Sequence, residues 1–370
     1  MSDTNDLPWA SHLRSTLGAL SIYDVAPADA SKARLHANEC PEPWPAEVME
    51  AAGQRLAELE LGRYPDTSGR RLRALLGRRH GCDPERVVLG NGSDEIIFLL
   101  LMALSSPERP GVIVTPAPTF VMYGHTAKVL GMELREVLLT EDLELPGAEL
   151  DEALRGATIC FFARPNNPTG NLWDEARIRR LIADHPDVIF VIDEAYTAYA
   201  PEGSSMWSPD GPSNQVHMGT LSKVGLAALR LGYCIAHPAL AHAMNTVRHP
   251  YNVSQTSLSL AELVLDRFDD AQKAMVARAR DNRARLAEIL GRIPGAEVLP
   301  SAANLVLVRL AEDGHAPALR AYLAEHGVLV KDVSGQPRLQ RCLRVSVGTE
   351  PELQRLARAL DGWKGPAAAE

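Results

Sequence analysis

Lys223 closes the segment Thr220-Leu221-Ser222-Lys223 and stands 30 residues (223 − 193) after Asp193, which itself follows the apolar run Val188–Ile192. A carboxylate at the end of a buried strand is costly unless a cation or hydrogen-bond donors meet it. Taken singly, such an aspartate serves as half of a structural ion pair, and a lone lysine is ordinarily a solvated surface group. Seven residues after Lys223 (230 − 223), Arg230 interrupts a mostly apolar stretch and reads as a semi-buried cation needing an anion. Two further segments are rich in small polar residues. In Gly90-Asn91-Gly92-Ser93-Asp94-Glu95, glycines between a strand and a helix let backbone N–H groups close around a phosphate. The same six residues also read as a plain turn with Ser93 or Asp94 as N-cap. They form neither a dinucleotide fingerprint, since Glu95 takes the place of its third glycine, nor a P-loop, which ends in Gly-Lys-Ser/Thr. Asn166-Asn167-Pro168-Thr169-Gly170 is, by itself, only a strong turn signal.

Together these groups have one chemical logic. Pyridoxal 5′-phosphate needs a lysine amine for its aldehyde, a carboxylate to keep its pyridine nitrogen protonated, and donors for its phosphate. Lys223 would hold the aldehyde as a Schiff base, and Asp193 would face the ring nitrogen. Tyr196 and Asn167 would donate hydrogen bonds to the phenolic oxygen. Thr220, Ser222, Arg230 and the backbone at Ser93 and Asp94 would surround the phosphate. Once a substrate amine displaces it, Lys223 can shuttle a proton between substrate and cofactor carbons as general acid–base.

Positioning such a set requires several strands that end together. Short apolar runs at Val87–Leu89, Val112–Thr115, Thr158–Phe162, Val188–Ile192, Val216–Thr220 and Leu231–Ala236 alternate with helical stretches. Continuous apolar strands separated by helices predict an α/β fold with a mostly parallel sheet covered on both faces. In such sheets ligands sit beyond the carboxyl ends of the strands, where four of the polar segments fall. Val48, Ala52, Leu56 and Leu59 share one helical face, and a helix around Leu72, Leu75 and Leu76 stops near Gly81. A long helix from about Ala271 to Ile293 precedes strands near Leu305–Val308 and Leu343–Val347. The expected organisation is an N-terminal arm over 1–38 that joins a small C-terminal α/β domain, 268–370, with the large cofactor-binding domain at 39–267.

The 370 residues carry a formal net charge of −9, which argues against a nucleic-acid partner and says nothing against a small anion. Five scattered cysteines without a C-x-x-C pair read as free thiols in a reducing cytoplasm, with no metal site. The longest apolar run, Ile96–Leu104, is too short to span a bilayer, and the N-terminus lacks a signal-peptide pattern.

The ordered set of segments resembles the fold-type I pyridoxal-phosphate-dependent aminotransferases, and within them the histidinol-phosphate aminotransferase group. The resemblance runs from Leu35-His36-Ala37-Asn38-Glu39, through Arg63-Tyr64-Pro65-Asp66, Pro118-Thr119-Phe120 and Asp193-Glu194-Ala195-Tyr196, to Leu343-Arg344-Val345-Ser346-Val347-Gly348-Thr349. It implies a homodimer with shared active sites, using a small-molecule amino donor and a 2-oxo acid in ping-pong fashion. It further implies that Phe120 stacks on the cofactor ring and that Tyr64 reaches the cofactor phosphate of the neighbouring subunit. Arg344 would grip the substrate carboxylate or phosphate, assisted by Tyr23, and Asn38 would lie in the stretch that crosses into the site. The implied reaction interconverts histidinol phosphate plus 2-oxoglutarate with imidazole-acetol phosphate plus glutamate. Threonine-phosphate decarboxylases and aromatic amino-acid aminotransferases share the pattern, and a catalytically idle sensor domain is a remoter alternative. Two departures stand out. The Lys223–Arg230 spacing is one residue shorter than in the broader family, a tightening that Gly225 could permit. Lys331, 13 residues before Arg344 (344 − 331), replaces the group's usual arginine and keeps charge without the bidentate fork.

Overall fold

The computed structural model describes His12, Leu20, Asp29 and residues 31–365. Its strands are β1 (Ala33–Leu35), β2 (Val87–Asn91), β3 (Val112–Ala117), β4 (Glu133–Leu138), β5 (Ile159–Ala163), β6 (Ile189–Asp193), β7 (Gln215–Thr220), β8 (Leu231–Ile235), β9 (Glu297–Val298), β10 (Leu305–Arg309), β11 (Val328–Asp332) and β12 (Cys342–Ser346). Seven of them form one sheet in the order β2-β8-β7-β6-β5-β3-β4, parallel throughout except for β8. Both faces are covered, which is why β5 reads as an unbroken apolar run and β6 as one up to Asp193. Phe161 and Val191 point to the face packed by helices Ser93–Leu104 and Met122–Leu130. Their neighbours Phe162, Phe190 and Ile192 point to the face packed by helix Glu175–Asp184.

The second sheet has the order β1-β11-β12-β10-β9. Its apolar side packs against helices Asp269–Leu290, His315–Glu325 and Glu350–Asp361. Thr349 and Glu352 start the last of these with reciprocal capping bonds, a capping box. Strand β1, although first in the chain, is hydrogen-bonded in parallel to β11.

Some elements differ from the sequence reading. Strand β4 has no apolar run, because as an edge strand it leaves Glu133 and Leu138 exposed. In helix Ala46–Ala57 only Val48 is buried, while Leu56 is 41% exposed, so the apolar stripe there joins the core at one end only. Helix Arg70–His80 does stop at Gly81, in the left-handed conformation at φ +65° that glycine favours. All five cysteines are free, and no helix among the described residues is long and apolar enough to cross a membrane.

Candidate active site

The carboxyl ends of β2, β5, β6 and β7 open onto one cleft of about 890 Å³, a volume suited to a small molecule. Because β8 runs the other way, its first residues lie beside those ends: Asn91 pairs with Leu231 and Thr220 with Gly232. Arg230 therefore enters the cleft from the start of β8. Lys223, Asp193, Tyr196, Asn167, Phe120, Ser93, Asp94, Thr220, Ser222, Arg230, Asn38, Lys331 and Arg344 all line it.

Lys223 sits in the turn after β7, where Val224 and Gly225 leave helical geometry. Gly225 takes φ +93°, and a Cβ there would come within 3.1 Å of the Trp44 ring, whose Nε1 donates to the Gly225 carbonyl at 2.8 Å. Together with Arg230 at φ +49°, this left-handed glycine accommodates the short Lys223–Arg230 interval. The Tyr199 hydroxyl donates to the Lys223 carbonyl, and Lys223 Nζ lies 3.4 Å from the Ala37 carbonyl oxygen. The ammonium is also 5.8 Å from the centroid of the Tyr196 ring.

Asp193, only 5% exposed, ends β6. Burial pushes its carboxyl above the usual range, while the Tyr123 hydroxyl and the Ala195 N–H, donating at 2.6 and 3.0 Å, pull it back down. A cationic ring nitrogen beside it would offset that burial cost. Tyr123, stacked on Phe161 at 4.6 Å and edge-on to Phe120 at 5.4 Å, escaped the sequence reading because a tyrosine on a helix face looks like ordinary core.

At the other end of the cleft, helix Ser93–Leu104 begins after Gly92 with no side chain capping its first N–H groups. A Cβ on Gly92 would meet Arg230 Nη2 at 2.6 Å, and one on Gly232 would meet Gly92 C and Ser93 N at 2.4 Å. Glycines thus keep a bare helix N-terminus open beside Arg230, an arrangement that suits a phosphate. Thr220 and Ser222 stand at its rim, tied by a 3.1 Å bond from the Ser222 N–H to Thr220 Oγ1. Arg230 is less buried than its apolar neighbours suggest: half its side chain is exposed, and it pairs with Asp94 at 3.3 Å. An amine, a buried carboxylate and an open phosphate cradle in one cleft fit pyridoxal phosphate.

The remaining wall comes from the second sheet and the entry strand. Asn38, at φ +53° and buried, donates to Tyr196 Oη at 3.1 Å, and its Oδ1 accepts from Ser346 at 2.8 Å. Arg344 Nη1 donates to Asn167 Oδ1 at 2.8 Å, and its Nη2 donates to the His36 carbonyl. Lys331 pairs with Arg344 across the antiparallel β11–β12 ladder. His36 and Arg320 also line the cleft, and neither had been singled out from sequence. Two expected residues are not gathered here. Tyr64 is 79% exposed and stacks on Tyr251 at 4.4 Å, away from this chain's cleft, and Tyr23 lies outside the described residues.

The sequence profile of the aminotransferase class I and II family matches residues 30–360. A protein of Nitrosococcus oceani named histidinol-phosphate aminotransferase 2 is 39% identical, the match covering 95% of this chain and 97% of that one. The histidinol-phosphate aminotransferase of Methylibium petroleiphilum is 40% identical over 95% of each. Among solved structures, the histidinol-phosphate aminotransferase of Sinorhizobium meliloti, in complex with pyridoxal 5′-phosphate, superposes with a TM-score of 0.83. It is 26% identical, and the match covers 95% of this chain and 96% of that one.

Proposed function

Because the chain belongs to the class I and II aminotransferases, a pyridoxal-phosphate-dependent family, we propose that it transfers the amino group of histidinol phosphate to 2-oxoglutarate. The products are imidazole-acetol phosphate and glutamate, and the enzyme serves histidine synthesis as a cytoplasmic homodimer. One observation carries the reading: the cleft that joins Lys223 to Asp193 is also lined by the cations Lys331 and Arg344. A substrate with an amine at one end and a phosphate at the other matches that combination.

When bound, pyridoxal phosphate supplies the electron sink that makes the substrate carbon acidic. Lys223 then carries the proton, its amine kept in the cleft near the Ala37 carbonyl and the Tyr196 ring. Asp193 provides the fixed negative charge that keeps the sink protonated, with Tyr123 holding its orientation. Tyr196 and Asn167, set by Asn38 and Arg344, orient the ring oxygen. Arg230, Ser222, Thr220 and the bare helix N-terminus at Ser93, all lining the cleft, would hold the phosphate end, and Phe120 would cover the ring.

The reading is tested by single half-reactions of the holoenzyme, followed by absorbance against histidinol phosphate, threonine phosphate, phenylalanine and glutamate. Histidinol phosphate and glutamate are expected to convert the cofactor fully, with parallel-line ping-pong kinetics in turnover. Carbon dioxide release from threonine phosphate, or a response to phenylalanine alone, overturns it.

Two variants probe the substrate wall and the dimer. Lys331→Ala removes one of the charges facing a nearly dianionic phosphate. Its KM for histidinol phosphate is expected to rise about 10- to 100-fold, the equivalent of one charged hydrogen bond of about 1.5–3 kcal/mol. The KM for glutamate, whose α-carboxylate leans on Arg344, should rise much less, whereas Arg344→Ala should damage both half-reactions. Equal effects at Lys331 would favour an aromatic amino donor. Tyr64→Phe removes a hydroxyl that contributes nothing to this chain's own cleft. If it reaches the cofactor phosphate of the partner subunit, cofactor affinity in the dimer falls by about 1.5–3 kcal/mol; unchanged affinity by equilibrium dialysis refutes the role.

A further inference from the structure

Strands β1, β11 and β12 lie side by side, with Leu35 opposite Val330 and Lys331 opposite Arg344. His36 follows Leu35 directly, in the turn that ends β1. Side chains alternate across a pleated sheet, and burial follows that rule here. Leu35, Val330 and Val345 are buried toward the helices, whereas His36, Lys331 and Arg344 are half-buried on the side that lines the cleft. Three basic side chains, one just past the end of β1 and one each on β11 and β12, therefore line the same wall of the cleft. The His36 carbonyl already accepts from Arg344, which locks the position of its backbone. Its imidazole is less committed: Nδ1 is shielded from solvent and has no hydrogen-bond partner among the described residues. With Nδ1 unpaired, no bond at that atom holds the ring back from turning toward an anion in the cleft.

We propose that His36 is a further substrate-binding residue, completing a His36–Lys331–Arg344 group that takes the phosphate of the amino donor. The inference rests on the histidinol-phosphate reading above and assigns to that substrate a contact that the resemblance does not imply. It also offers a physical counterpart to Lys331. A lysine at that position gives up the second directed donor of an arginine fork, and an adjacent imidazole N–H restores one.

The charges around His36 define a pH signature. Burial holds its pKa below the ordinary histidine value. Arg34 from its own strand and Arg344 and Lys331 from the neighbouring strands push the same way, and Glu39, engaged by Arg34 at 2.9 Å, opposes them. Arg320 and Asp332 complete the charged lining of this end of the cleft. The free enzyme thus keeps His36 neutral at neutral pH. A bound phosphate favours the imidazolium and raises the pKa, so binding takes up a proton at His36. The contribution of His36 to affinity must then be largest at low pH and shrink as pH rises through the pKa of the complex.

The test compares wild-type holoenzyme with His36→Asn and His36→Gln, measuring KM for histidinol phosphate and for glutamate between about pH 5 and 8, the range in which histidine titrates. Titration of the substrate's own phosphate is common to all three proteins and cancels in the ratio of variant to wild type. The expected ratio for histidinol phosphate is about tenfold at the acid end, the size of one hydrogen bond to a charged group. It narrows toward the alkaline end, and the ratio for glutamate stays smaller throughout. Calorimetry of histidinol phosphate binding in two buffers of different ionisation heat should show less proton uptake in both variants than in wild type. A pH-independent ratio, or equal loss for both substrates, overturns the proposal and leaves His36 a framework residue. If Lys331→Ala impairs histidinol phosphate while both His36 variants do not, His36 alone is refuted and the substrate reading stands. If wild type does not accept histidinol phosphate at all, the substrate reading fails and this inference fails with it.

Discussion

Lys223→Ala is expected to lose essentially all turnover while keeping its fold and its ability to bind pyridoxal phosphate. The side chain lies in the cleft rather than in a packed core, and its position is fixed mainly through its carbonyl, held by Tyr199, and through Gly225, held by Trp44. None of those bonds needs the amine, so the turn should survive its removal. What disappears is the covalent tether and the base that moves the proton; a general acid–base group alone accounts for about 10²–10⁴ in rate. The phosphate cradle at Gly92–Ser93, Ser222 and Arg230 and the carboxylate of Asp193 remain, so the cofactor should bind reversibly and wash out on dialysis. Small primary amines added to the buffer should restore part of the rate, because the cleft is open enough to admit them. Full multiple turnover without added amine would remove Lys223 from the chemistry.

Asp193→Asn should produce the second largest loss. The substitution keeps the size of the side chain and removes the charge that a protonated pyridine nitrogen requires. Its effect should appear in the proton-transfer step, slowed by about 10²–10³, the loss seen when one preorganised electrostatic partner is removed. Cofactor affinity should fall much less, since phosphate contacts supply most of it. Tyr123→Phe provides the matched control. It deletes the 2.6 Å bond to the carboxylate but leaves the charge, so the loss should be real and smaller. A deuterium isotope effect at the substrate α-carbon separates the two steps. If Asp193→Asn leaves the chemical rate intact, the carboxylate is structural and the ring nitrogen has another partner.

Much of this architecture was legible before any coordinates, for identifiable reasons. Strands β5 and β6 are buried on both faces, so their sequences are apolar up to Ala163 and Ile192 and the polar residues that follow stand out, whereas β7 is broken by Gln215 and His217. Asp193 was conspicuous for that reason. The remainder was hidden by equally physical causes. Strand β4 lies at the sheet edge with exposed charges, and β1 has only three residues, whose pairing depends on a strand far along the chain. Tyr123 looks like core until its hydroxyl is found 2.6 Å from Asp193. Arg230 appeared semi-buried because its neighbours are apolar, yet a left-handed turn carries it into the cleft with half its side chain exposed. The role of His36 depends on register between strands, which a one-dimensional pattern does not carry.

The pairing of β1 with β11 also sets an order of events during synthesis. Ala33 meets Val328, 295 residues later (328 − 33), and Asn38 is held by Ser346, 308 residues later. A ribosome delivering this chain from its N-terminus can complete the seven-stranded sheet once Ile235 has emerged, with β1 and Asn38 still unpaired. Tyr196 then lacks the Asn38 amide, and Lys223 lacks the Ala37 carbonyl that faces its amine. Contacts of such long sequence separation form late in folding. A nascent chain stalled before residue 346 can therefore present Arg230, Ser93 and Lys223, yet not the finished wall of the cleft. Competence waits for β12, a strand whose Ser346 is made 308 residues after the Asn38 it holds in place.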